Sequence, residues 1–196
     1  MELALLYSGG KDSSLAALLL NDFYNVRLVT AHFGVTDDFK HAREAAAELG
    51  FPFETVALDR AVADNAVDRM SADGFPRNGI QQVHDHALEQ VADRAVDAIA
   101  DGSRRDDRVP TVSRAAAQSL EDRHGVDYIA PLSGFGRGAV DDLVAETLRV
   151  ETGPSEEVPK ADYEGELRAV LADRHGDEAV GDVFPEHEQT YVHGRR

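Results

Sequence analysis

Apolar and polar residues fall in alternating blocks along this chain. Residues 3–7 form a short continuous apolar run that reads as a buried strand, and residues 15–20 read as the first turns of a buried helix. Residues 26–33 predict a second strand, buried on both faces. A helix over 38–49 follows, closed by Gly50, and then a third strand over 53–58. The long amphipathic stretch to residue 94 breaks at Gly74-Phe75-Pro76, which predicts two helices in place of one. Residues 96–100 predict a fourth strand that runs straight into Asp101-Gly102. A helix over 110–124 has Pro110 near its first turn and Gly125 after its end. A fifth strand over 126–130 and a helix over 139–148 complete the pattern. Beyond it lie a helix over 163–174 and a polar tail, with no internal repeat and no low-complexity linker.

Strands alternating with helices predict a doubly wound, mostly parallel five-stranded sheet flanked by helices, a Rossmann-like α/β fold. Residues 1–150 are expected to form the ligand-binding domain and 151–196 a C-terminal helical extension and tail. In such sheets ligands sit beyond the carboxyl ends of the strands, where strand order reverses. The ends of strands one, two, four and five are therefore where chemistry is expected.

Composition narrows the class. The chain has 196 residues, enough for one α/β core. Its longest apolar run is too short to span a bilayer, and its first residues read as strand and not as a signal peptide, so a cytoplasmic protein with no membrane partner is expected. With no cysteine, disulfides and thiolate metal sites are excluded. Acidic residues number 37 against 20 basic ones, a formal net charge of −17, and only Lys11, Lys40 and Lys160 are lysines. The acidity is spread along the whole chain, as in proteins of a salt-rich, haloarchaeal-type cytoplasm. On that background it decides little about nucleic-acid binding. The scarcity of lysine sets Lys11 apart.

Lys11 lies in Ser8-Gly9-Gly10-Lys11-Asp12-Ser13-Ser14, at the turn from first strand to first helix. Two glycines allow a tight backbone path on which several N–H groups converge on one oxyanion. The helix start adds the positive end of its dipole. Ser8, Ser13 and Ser14 offer hydroxyls, Lys11 a full charge, and Asp12 a carboxylate for Mg²⁺. The bland alternative is a structural turn with a serine cap.

This run resembles the SGG-x-DS signature of the PP-loop ATP pyrophosphatase superfamily, the adenine nucleotide alpha hydrolase-like group. That group includes asparagine, NAD and GMP synthetase-like enzymes. It is not a Walker A loop. The resemblance implies cleavage of ATP between the α and β phosphates, adenylation of a substrate oxygen, and displacement of AMP by a nucleophile. It covers roughly residues 1–148. The second stretch, Asp101-Gly102-Ser103-Arg104-Arg105-Asp106-Asp107, is similar to the D-G-[ST]-N-x-D-D pattern of the subgroup near the lactate-racemase sulfur-insertion enzyme, with Arg104 in place of Asn. It implies a nucleotide role for Gly102 and Ser103 and a metal role for Asp106 and Asp107 alongside Asp12. The third, Ala130-Pro131-Leu132-Ser133-Gly134-Phe135-Gly136-Arg137-Gly138, is less specific and offers Arg137 for transition-state charge.

Other residues carry weaker signals. His32, at the end of the second strand, is a candidate to line an adenine pocket beside Phe33. His84 and His86 stand two apart on a predicted helix, so they point in different directions and cannot chelate one ion. The segment 184–193 is polar and aromatic, and reads equally as a lid folded over the site, a homodimer contact or a mobile tail.

The resulting expectation is an enzyme that takes ATP and Mg²⁺, with Lys11, Asp12 and Arg137 as catalytic groups. Its substrate is an unidentified small molecule or tRNA. The chain has no cysteine to carry sulfur and no glutaminase domain, so sulfur or ammonia would come from a donor protein or from solution. The alternative is a nucleotide-binding regulator or sensor without turnover on the same fold.

Overall fold

The computed structural model describes residues 1–155, 157–159 and 161–196. Five parallel strands form the central sheet: β1 (Glu2–Leu6), β2 (Asn25–His32), β3 (Phe53–Ala57), β4 (Ala98–Ala100) and β5 (Asp127–Ile129), in the order β3-β2-β1-β4-β5. The parallel, doubly wound α/β fold expected from the pattern is the one observed.

The pleat explains how one run of apolar residues builds two cores. Leu3, Leu5 and Tyr7 point into one hydrophobic cluster, and Ala4 and Leu6 into the other. Helices α1 (Lys11–Leu20), α2 (Phe39–Leu49) and α6 (Arg137–Thr147) cover the first face. Helices α3 (Arg60–Asp73), α4 (Arg77–Ala92), α5 (Arg114–His124), α7 (Tyr163–His175) and α8 (Asp177–Val183) cover the second. The break at 74–76 separates α3 from α4 as expected. Pro110 lies outside α5, which starts later because Ser113 caps it by accepting the N–H of Ala116. A single 3-10 turn, Pro131–Gly134, follows β5.

The C-terminal part is more regular than a tail. β6 (Leu148–Pro154) pairs antiparallel with β7 (Glu188–Arg195), so a boundary at residue 150 would fall inside a strand. Tyr191, Val192 and Ala161 join the cluster that holds Leu3 and Leu5. Leu167, Leu171 and Phe184 join the cluster that holds Ala4 and Leu6. No helix among the described residues is long and apolar enough to cross a membrane.

Strand order reverses at β1. The chain passes from β1 to β2 and β3 on one side, then returns to β4 and β5 on the other. The loops that leave β1 and β4 therefore flank the crevice where open α/β sheets bind ligands.

Candidate functional site

The β1 loop is held by its own side chains and by β7. Gly9 adopts φ +81, a left-handed conformation that suits glycine. A Cβ there would also stand 3.4 Å from the Ala42 Cα. The Ser8 and Ser13 hydroxyls lie 3.3 Å apart, and Ser13 Oγ also donates to the Gly10 carbonyl at 3.3 Å. From β7, the Val192 N–H donates to the Gly9 carbonyl at 3.1 Å, and Thr190 Oγ1 accepts the Lys11 N–H at 3.2 Å. The segment 184–193 thus includes a strand that seals one side of the loop.

The β4 loop meets this one through Gly102. A Cβ on Gly102 would lie 2.7 Å from the Ser13 backbone N and 2.8 Å from its Cα. Only a glycine lets the two loops approach so closely.

Two cavities open on either side of this junction and share Ser8, Asp12 and Ser13 in their walls. The larger, about 590 Å³, is lined by four cations, Lys11, Arg104, Arg137 and Arg196, against three carboxylates, Asp12, Asp141 and Glu188, with Gly10 and Thr190 at the loop and Leu148 and Val150 on its apolar side. The start of α1 opens into it, where first-turn N–H groups have no intrahelical acceptor. The smaller, about 210 Å³, has an apolar wall of Leu6, Tyr7, Ala31, Pro110 and Ala161, and a polar one of His84, Asp101 and Tyr163. One crevice therefore offers a charged lobe with a small excess of cations, the cationic lobe, and an apolar lobe side by side.

The sequence-derived candidates divide accordingly. Ser8, Gly10, Lys11, Asp12, Ser13 and Arg137 border the cationic lobe, while Gly102, Ser103 and Asp107 border the apolar one. Gly9 supplies the turn. Arg137 opens α6, with its side chain 75% exposed and a loose contact of 3.9 Å to Asp141. Ser14 is turned into the core, its hydroxyl 3.0 Å from that of Tyr7, and it borders neither lobe. His32 sits in a separate crevice of about 10 Å³, stacked on Phe39 with ring centroids 4.9 Å apart. His84 is buried whereas His86 is half-buried, so the two do diverge.

Asp12, Asp106 and Asp107 converge, but on a guanidinium. Arg104 stands 3.7 Å from Asp12, 3.7 Å from Asp106 and 2.9 Å from Asp107. Burial alone would weaken its protonation, yet these three carboxylates outweigh that and hold the charge more firmly than usual. Lys11 Nζ caps the other oxygen of Asp12 at 2.7 Å and reaches Asp141 at 3.5 Å. The three acids do not fit a resident divalent ion in this arrangement, because Arg104 holds the centre. Among the described residues no group of three or more His, Asp or Glu side chains is arranged to hold a metal. Arg104 is also the position where the second motif departs from its family pattern.

Three elements of the site come from parts of the chain distant in sequence. Glu166, buried on α7, reaches back to the loop after β2 and accepts the N–H groups of Phe33 at 2.7 Å and Val35 at 2.8 Å. Thr190 closes the β1 loop. His84, Asp101 and Tyr163 form a buried hydrogen-bonded chain in the wall of the apolar lobe. Asp101 lies in the second motif and His84 on a predicted helix, and only the fold brings the two together. Nothing local marks Glu166, and Thr190 is marked only as part of the segment 184–193.

Fold and crevice together define a doubly wound α/β protein with a glycine-rich loop at its topological switch point. The chain belongs to a family of unknown function, DUF7411, whose model matches residues 1–194. It is 43% identical over 195 residues to the uncharacterized protein MJ0690 of Methanocaldococcus jannaschii, covering 99% of this chain and 96% of that relative. It is also similar to a crystal structure from M. jannaschii described as a predicted subunit of tRNA methyltransferase. That match has a TM-score of 0.91 and 41% identity, covering 100% of this chain and 98% of the other.

Proposed function

We propose that this protein binds ATP across the two lobes, splits it between the α and β phosphates, and adenylates a substrate in tRNA modification. The observation that carries this reading is the pairing of a cationic lobe at the start of α1 with an apolar lobe at the switch point. Phosphates suit the first and a base suits the second. The PP-loop resemblance of residues 8–14 supports the same division.

In this reading a substrate oxygen attacks the α-phosphorus and the bond to the bridging oxygen breaks, releasing pyrophosphate. An incoming nucleophile then displaces AMP from the adenylated substrate. Lys11 and the first-turn N–H groups of α1 neutralise the oxyanions as charge moves toward the leaving group, with Arg137 across the lobe. ATP as its magnesium complex is the proposed form of the nucleotide, and none of these residue roles depends on a metal held by the protein.

The proposed link to tRNA rests on the M. jannaschii neighbour, a predicted subunit of tRNA methyltransferase. A chain of net charge −17 meets a polyanion poorly on its own. A partner protein that carries the tRNA, or that donates ammonia or sulfur, fits this charge.

α-Labelled ATP incubated with the protein in molar KCl, with and without bulk tRNA, tests the proposal. Labelled AMP that depends on tRNA and vanishes in Asp12→Asn is expected. Labelled ADP would overturn the pyrophosphatase assignment. A second reading, a nucleotide sensor without turnover, is favoured by one observation: Asp12, Asp106 and Asp107 are all engaged by Arg104. ATP binding without AMP under either condition would support it.

A further inference from the structure

One wall of the apolar lobe carries buried polar groups that the phosphate chemistry does not use. His84 and Asp101 are 3% and 2% exposed. Asp101 Oδ2 lies 2.9 Å from His84 Nε2 and 3.0 Å from the Tyr128 hydroxyl, and its Oδ1 accepts the Ser103 N–H at 2.9 Å. His84 Nδ1 lies 2.9 Å from the Tyr163 hydroxyl.

The direction of each bond follows from what each atom can do. Burial pushes Asp101 toward protonation, but bonds from His84, Ser103 and Tyr128 outweigh it and keep the carboxyl below its usual range. An ionised carboxylate only accepts, so His84 must carry its proton on Nε2. With one proton on the imidazole, Nδ1 is a lone pair and Tyr163 donates to it; a second proton on Nδ1 would reverse that bond and free the Tyr163 proton for the ligand, so the nucleotide preference itself reports which form is present. Burial, with the charges of Asp101, Asp162 and Asp85, holds the Tyr163 hydroxyl well above its ordinary value, so it stays protonated. Its one proton is committed to His84, and its oxygen has only lone pairs to offer a ligand.

Tyr163 also borders a third cavity of about 340 Å³, on the side of Ile80 and Phe184. Its hydroxyl is nonetheless bound to His84, which lines the 210 Å³ lobe and not the third cavity.

We propose that the Asp101–His84–Tyr163 chain makes the apolar lobe selective for 6-aminopurine over 6-oxopurine nucleotides, the Tyr163 oxygen accepting the exocyclic N–H. A 6-oxo group would set two acceptors against each other in a desolvated site. His84 and Asp101 are positioning residues that act through Tyr163. The inference rests on the nucleotide reading above.

Equilibrium binding of ATP and of inosine triphosphate, which carries a 6-oxo group and an N1 proton in place of the 6-amino group and the N1 lone pair, tests it on the full chain at about pH 8. The wild-type protein should prefer ATP by about 10- to 100-fold. Tyr163→Phe should bring the two within about threefold by weakening ATP alone. Asp101→Asn is the sharper variant. Its amide oxygen stays on the Ser103 N–H, so its NH₂ faces His84 and donates to Nε2. The imidazole proton then moves to Nδ1, Tyr163 turns its own proton toward the ligand, and the preference falls to parity or inverts. Equal wild-type affinities, or an ATP preference unchanged in either variant, overturn the inference while leaving the nucleotide site standing. Binding of neither nucleotide overturns both.

Discussion

Thr190 Oγ1 accepts the backbone N–H of Lys11 at 3.2 Å, joining the last strand to the first turn of α1 across 179 residues. The strand that carries Thr190 also fixes the Gly9 carbonyl through Val192. The conformation of the glycine-rich loop is therefore set by the far end of the chain as well as by its own glycines.

Thr190→Val keeps the shape and removes the acceptor. It should cost about 0.5–1.5 kcal/mol, read as a lower midpoint in urea unfolding with an unchanged slope. Binding of inorganic pyrophosphate should be no weaker than in the wild type, because an oxyanion takes the same N–H. A stability change with a collapse of pyrophosphate binding would instead make the hydroxyl a ligand contact.

Gly102 tests the contact between the two loops. Gly102→Ala places a methyl 2.7 Å from the Ser13 N, against backbone that cannot yield as a side chain does. The expected cost is about 1–3 kcal/mol with weakened nucleotide binding. Gly138→Ala, where a Cβ meets nothing within 4 Å, is the control and should be neutral or slightly stabilising within α6. Equal behaviour of the two variants in thermal unfolding would contradict the close approach.

Glu166 holds the loop after β2 by accepting the N–H groups of Phe33 and Val35. Glu166→Gln turns part of this acceptor into a donor facing N–H groups, at a cost of about 1–3 kcal/mol. Amide exchange at Val35 should accelerate more than exchange in β1, whose ladder is untouched. Uniform acceleration along the sheet would place the effect elsewhere.

Arg104 stands where three carboxylates meet. Arg104→Asn, which restores the residue expected from the motif, leaves Asp12, Asp106 and Asp107 without it. Mn²⁺ should then bind at least about tenfold more tightly than to the wild type, since ligand charge count governs such sites. Paramagnetic titration checks this. Equal Mn²⁺ affinity in both proteins would show that the guanidinium does not compete with a metal.

The legible parts of this protein are those encoded locally. The apolar runs at residues 3–7 and 26–33 needed only their neighbours in sequence to read as buried strands, and Gly9-Gly10 before a helix marked its own turn. The crevice followed, because strand alternation implies a switch point. Several things depended on pairings distant in sequence. β7 is polar, and its partner β6 lies more than thirty residues earlier, so neither strand shows a pattern without the other. Thr190, Glu166 and Tyr163 gain meaning only from what the fold brings to them. Ser14 was legible as part of a motif, but its hydroxyl faces Tyr7 in the core. Arg104 was visible as a departure, and its consequence for the acids needed coordinates.

A crystal structure of the protein with the α,β-methylene analogue of ATP would locate the nucleotide. The triphosphate is expected against Lys11 and the first turn of α1, with the adenine in the lobe beside Tyr163. An analogue bound away from this crevice, or no binding at saturating concentration, would contradict it.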